Sequence, residues 1–106
     1  MGEAVLLREE PSVGSPGQVY SHWQLARGAT AFVHSLTPTH HTVFARFPDA
    51  ADRVLWKAER LIPLFPGWEV AHTFCVDGWG LSFKGRSRAE VMARVNEVIE
   101  RREFHG

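Results

Sequence analysis

The chain has 106 residues, with 12 Lys and Arg against 12 Asp and Glu, so its formal net charge is zero at neutral pH. With no field of one sign, neither nucleic acid nor an anionic membrane is an expected partner. No apolar run approaches the roughly 20 residues of a membrane-spanning helix, and the single cysteine, Cys75, excludes an internal disulfide.

This length fits one domain, and a domain of this size buries roughly 65% of the surface its unfolded chain exposes. The N-terminus lacks both a secretory pattern and a twin-Arg signal, so a reducing cytoplasm is expected. Residues 1–18 read as a flexible N-terminal segment. They hold a short apolar patch, Ala4-Val5-Leu6-Leu7, too short to tell a strand from a helical turn, and then a Ser, Pro and Gly-rich tether. Residues 19–106 read as a single α+β domain.

Within that domain Val19, Ser21, Trp23 and Leu25 alternate with Tyr20, His22 and Gln24, which suits an edge strand. Residues 29–36 and 42–47 follow as two strands rich in β-branched and aromatic residues, joined by the five-residue loop Thr37-Pro38-Thr39-His40-His41. Pro48-Asp49 opens a helix capped at or near Asp49, with Val54, Leu55, Ala58, Leu61 and Ile62 as its apolar stripe and Pro63 as its stop. Trp68, Val70, His72, Phe74 and Val76 alternate with polar or small residues as one more strand. Asp77-Gly78 is a hairpin dipeptide, and Trp79, Leu81 and Phe83 return on the same face. A two-residue loop there sets Val76 opposite Trp79, Phe74 opposite Leu81 and His72 opposite Phe83. Ser87-Arg88-Ala89-Glu90 spells a capping box before a final helix striped with Val91, Met92, Val95, Val98 and Ile99.

The expected architecture is therefore a mainly antiparallel sheet of four or five strands with two helices on one face, in the order (β)ββαββα. Moving the last strand of a ferredoxin-like βαββαβ sandwich to the front produces that order. A sheet covered on one side leaves an open face. The strand carrying Ala31 and Val33 on one side and Phe32 and Leu36 on the other suggests that a partner or a second copy covers it.

Residues 26–38, 64–70 and 77–90, with their small-residue strand start, the Pro66-Gly67 before a strand, the Asp77-x-x-Gly80 hairpin and the capped last helix, resemble the C-terminal subdomain of ATP-grasp carboxylate-amine ligases, in particular the L-amino-acid ligase type. The similarity spans residues 26–102. The chain has neither the glycine-rich lid, the adenine-clamping strands nor the acidic magnesium-binding pair of that family's core, so the resemblance implies no nucleotide, metal or other cofactor here. It implies a free-standing accessory protein of amino-acid-derived natural product biosynthesis, one that binds a separately encoded ATP-grasp ligase or its intermediate.

The alternative is a small dimeric enzyme, an isomerase, cyclase or hydrolase, with a histidine base in an apolar pocket. His72 is the foremost candidate for that base because it is the polar member of an apolar face, and His34, between Phe32 and Leu36, is the second. A core histidine bonded to backbone is the plainer reading of both. His40 and His41, adjacent in a loop, point apart and make no zinc site with any neighbour at ligand spacing. Arg46 is the best carboxylate anchor if it reaches the open face. Trp79 joins it as a substrate-binding candidate, as does Trp56, which falls roughly 100° past Leu55 on a helical wheel, outside the helix's stripe.

Overall fold

The computed structural model describes residues 2–75 and 78–106; the side chain of Cys75 lies outside them, as do Val76 and Asp77 of the expected hairpin turn. The described residues form a six-stranded antiparallel sheet of β1 (Val5–Pro11), β2 (Val19–Gln24), β3 (Thr30–Thr37), β4 (His40–Arg46), β5 (Glu69–Cys75) and β6 (Gly78–Lys84). Their spatial order is β1-β2-β3-β4-β6-β5. Three helices, α1 (Ala50–Leu55), α2 (Ala58–Leu61) and α3 (Arg88–Glu100), complete the α+β architecture. None of the described helices is long and apolar enough to cross a membrane.

The sixth strand is β1, inside the stretch expected to be a flexible lead-in. All seven of its residues are exposed. It is held by backbone pairing to β2, from Val5 opposite Gln24 to Pro11 opposite Val19 with a bulge between Leu6 and Arg8. An edge strand of this kind buries no stripe, so apolar periodicity carries little sign of it.

The remaining strands alternate as their sequences require. On one face Trp23, Ala31, Val33, Val43, Leu81 and Phe83 are buried against Val91, Met92, Val95, Val98 and Ile99, the whole expected stripe of α3, together with Leu61, Phe65 and Phe104. Ser87 caps α3 by accepting from the Glu90 amide at 3.2 Å. The Glu90 carboxylate meets Arg86 at 2.6 Å. Arg94 pairs with Glu97 at 2.6 Å and Glu103 at 3.0 Å. Glu97 also pairs with Arg101 one turn on, at 3.3 Å.

Three local features depart from the sequence reading. The β3-β4 connection is shorter than five residues, because Thr37 pairs with His40 and Ser35 with His41, which draws both histidines into β4. The β5-β6 register sets Val70 opposite Phe83, His72 opposite Leu81 and Phe74 opposite Trp79, two residues from the expected pairing. An even shift keeps every side chain on its expected face. The helix opened by Asp49, whose carboxylate accepts from the Ala51 and Asp52 amides at 2.7 and 3.3 Å, breaks at Trp56 (φ −82°, ψ 85°) before α2 begins. Those two amides hold the Asp49 carboxyl below the usual range.

Candidate functional site

The uncovered face of the sheet is built by the alternate residues of the same strands. Tyr20 and His22 on β2, Phe32 and His34 on β3, and Thr42, Phe44 and Arg46 on β4 share it, by the pairings Tyr20 with His34, His22 with Phe32, His34 with Thr42, Phe32 with Phe44 and Thr30 with Arg46. The rings form a continuous platform. Tyr20 stacks on Phe32 at 5.3 Å, His22 lies 5.1 Å from Phe32, and Phe44 follows at 6.2 Å. Gly80 makes room for the last of these, since a Cβ there would stand 2.6 Å from the Val43 carbonyl oxygen and 2.9 Å from the Phe44 ring.

Arg46 ends the platform. It is exposed, and among the described residues no side chain pairs with its guanidinium. It lines two hollows at once. One, of about 420 Å³, opens over Phe32 and Phe44; the other, of about 380 Å³, lies between Trp56, Trp79 and Arg53. The three residues expected to bind substrate, Arg46, Trp56 and Trp79, therefore meet at one end of β4. Arg53 is already engaged, donating to the Phe47 and Pro48 carbonyls at 2.8 and 3.1 Å. An exposed guanidinium beside flat apolar surface is suited to hold a carboxylate whose body lies on the rings.

Trp56 differs from its expected place outside the apolar stripe of the helix. It is buried against Phe47 at 4.9 Å and Phe104 at 5.0 Å. The helical wheel fails because α1 has ended one residue earlier, and the break turns the indole inward while Val54, assigned to the stripe, is 69% exposed.

His34 and His72 do not meet. His34 pairs with Thr42, Thr42 with Ser82 and Ser82 with Ala71, so the residue of β5 that shares a face with His34 is Ala71. His72 is on the opposite face, exposed on the outermost strand beside Phe74, which is 77% exposed, with its ring 5.2 Å from Trp79. The core histidine of the plainer reading is therefore not formed at this position. His34 is half-buried, donating from Nε2 to Gln18 Oε1 at 2.8 Å, with the Tyr20 ring at 4.6 Å. Burial, and secondarily the neighbouring His40, lowers its pKa, which keeps it neutral at physiological pH.

His40 and His41 do point apart, though from a strand instead of a loop. His40 Nε2 lies 2.9 Å from Ser82 Oγ on the open face, while His41 is 1% exposed on the helix-covered one. The sequence signal that could have placed His41 is the pair Pro38-Thr39, which suffices for a tight turn and frees both histidines for pairing. The platform residues Tyr20 and His22 were visible as an alternating set, but nothing in their spacing says which face is left bare.

No protein-family model matches the chain, and neither a curated protein nor a solved structure matches it.

Proposed function

We propose that this chain is an accessory protein of amino-acid-derived small-molecule biosynthesis that binds, without transforming it, a carboxylate with an aromatic or apolar body. The observation that carries the proposal is Arg46, exposed, without a partner among the described residues, and common to two aromatic-lined hollows. The ring platform supplies apolar contact and Arg46 the counter-charge. Under the resemblance to the C-terminal subdomain of ATP-grasp ligases, the bound molecule is the intermediate of a separately encoded ligase, and that ligase is the protein partner. The finer fold reading, a permuted ferredoxin-like sandwich, belongs to the same proposal and is supported by the order β3-β4-β6-β5 of the last four strands.

Calorimetric titration with an N-acylated aromatic amino acid and with its uncharged amide tests the binding. The acid binds and the amide binds about 10-fold or more weaker, since a hydrogen bond to a charged group is worth about 1.5–3 kcal/mol. Equal affinities, or none for either, contradict the proposal. Co-purification with an ATP-grasp ligase encoded nearby tests the partner; its failure removes the ligase and leaves the ligand. A homodimer is part of the same reading, supported by exposed Val5, Leu6 and Leu7 on one edge strand and Phe74 on the other, and a solution mass equal to one chain rejects it.

A second reading, an enzyme using His34 as general base, draws on one observation: with Nε2–H given to Gln18, the neutral ring carries its acceptor lone pair on Nδ1. His72 has no part in that reading. His34→Gln leaving a purified turnover unchanged would end it.

A further inference from the structure

On the helix-covered face a different pair of side chains has the geometry of a nucleophile and its base. Ser35 Oγ lies 2.7 Å from His41 Nδ1. His41 Nε2 lies 3.0 Å from the Pro38 carbonyl oxygen and 3.1 Å from that of Arg86. Both oxygens can only accept, so Nε2 carries the proton. A neutral imidazole has one N–H, which makes Nδ1 the acceptor and the Ser35 hydroxyl its donor. The ring is thus fixed in the tautomer able to take a proton from serine, with two carbonyls in the orienting place that a carboxylate fills in the familiar triads. Those carbonyls also remain bonded to Nε2–H once the ring becomes an imidazolium.

The pair reaches an opening. A hollow of about 300 Å³ is lined by Ser35, His41, Val19, Trp23, Arg88 and Ala89. Its walls are mostly apolar, and it abuts the start of α3, where first-turn amides lack intrahelical acceptors. Burial lowers the pKa of His41, in keeping with a ring that is neutral, and so competent as a base, at neutral pH.

We propose that Ser35 and His41 form an acyl-transfer site that hydrolyses small esters with an apolar acyl group. Ser35 Oγ attacks the ester carbonyl carbon while its proton passes to His41 Nδ1. The bond to the leaving oxygen breaks, that oxygen takes the proton from His41, and the alcohol departs from acyl-Ser35. Water then attacks the acyl group, giving its proton to His41, and the carboxylic acid leaves as Ser35 regains its hydrogen. The site is separate from the open-face binding proposed above, so either can fail without the other.

Exposure of the full chain to a small fluorophosphonate, read by intact mass and peptide mapping, tests the inference directly. The expected result is one adduct, on Ser35. Hydrolysis of p-nitrophenyl acetate is expected to fall about 100-fold or more in a folded Ser35→Ala variant, the scale typical of an oriented base and nucleophile. No adduct, an adduct elsewhere, or turnover unchanged in Ser35→Ala would overturn it. Should Ser35→Ala not fold, the position of the adduct in the unmodified sequence decides alone.

Discussion

Two histidines on neighbouring strands, one on each side of the sheet, show how differently its faces use the same residue. His41 is buried on the side covered by α3, with both ring nitrogens engaged and its tautomer fixed by two carbonyls. His34 sits on the bare side, half-buried, tied to Gln18 and leaning on Tyr20. The covered face spends its apolar residues on one another; the bare face spreads its rings into a platform and ends them on Arg46, which has no side-chain partner among the described residues. Both sides are rich in aromatic rings, so composition alone does not separate core from binding surface. The distinction lies in what stands opposite.

That contrast can be broken by substitution. Phe83→Ala, in the covered face, is expected to cost about 3–5 kcal/mol by lost burial and the cavity left behind, measured by chemical denaturation. Phe32→Ala, on the bare face, should cost only about 1 kcal/mol, in the ordinary range for a point substitution, while weakening ligand binding. Equal costs would mean that the platform is core after all. Gly80→Ala comes next, expected to cost about 1–3 kcal/mol because the added methyl overpacks a position bounded by backbone; a neutral result would show that Phe44 and the Val43 carbonyl give way easily.

The two histidines also sharpen the comparison through pH. Each has a folded-state pKa below its unfolded value. The unfolded chain therefore binds more protons between the two values, and stability falls as pH drops from the ordinary histidine value of about 6.5 toward the folded one. Above that window their contribution is fully present. His41→Gln should flatten the fall more than His34→Gln, since His41 is the more deeply enclosed; the reverse ordering would put the buried site on the wrong face. Arg46→Ala should move stability least, within about 0.5 kcal/mol, as for surface residues without packed partners.

Much of the fold could be read in advance because it is written in alternation and caps. Trp23, Ala31, Val33, Leu81 and Phe83 point inward as their spacing demands, Asp49 and Ser87 cap their helices, and the α3 stripe is buried throughout. What escaped depends on distances that spacing does not encode. Alternation puts His72 on the helix side of β5, but whether it is buried depends on how far α3 reaches, and a helix of 13 residues spans only about 20 Å at 1.5 Å per residue. Trp56 departs from the helical wheel because a wheel assumes an unbroken helix and α1 ends at Leu55. β1 escaped because strand pairing without burial leaves no apolar pattern. The convergence of Arg46, Trp56 and Trp79 came from three separate residue arguments, and only the sheet order brings them to one place.

The most direct test is amide shift mapping by NMR as an N-acylated aromatic amino acid is added. The account predicts perturbations concentrated at the end of β4 and its neighbours, around Thr30, Phe32, Phe44, Arg46 and Trp79, and their loss in Arg46→Ala. Shifts confined to other parts of the chain, or a response that Arg46→Ala leaves intact, would contradict it.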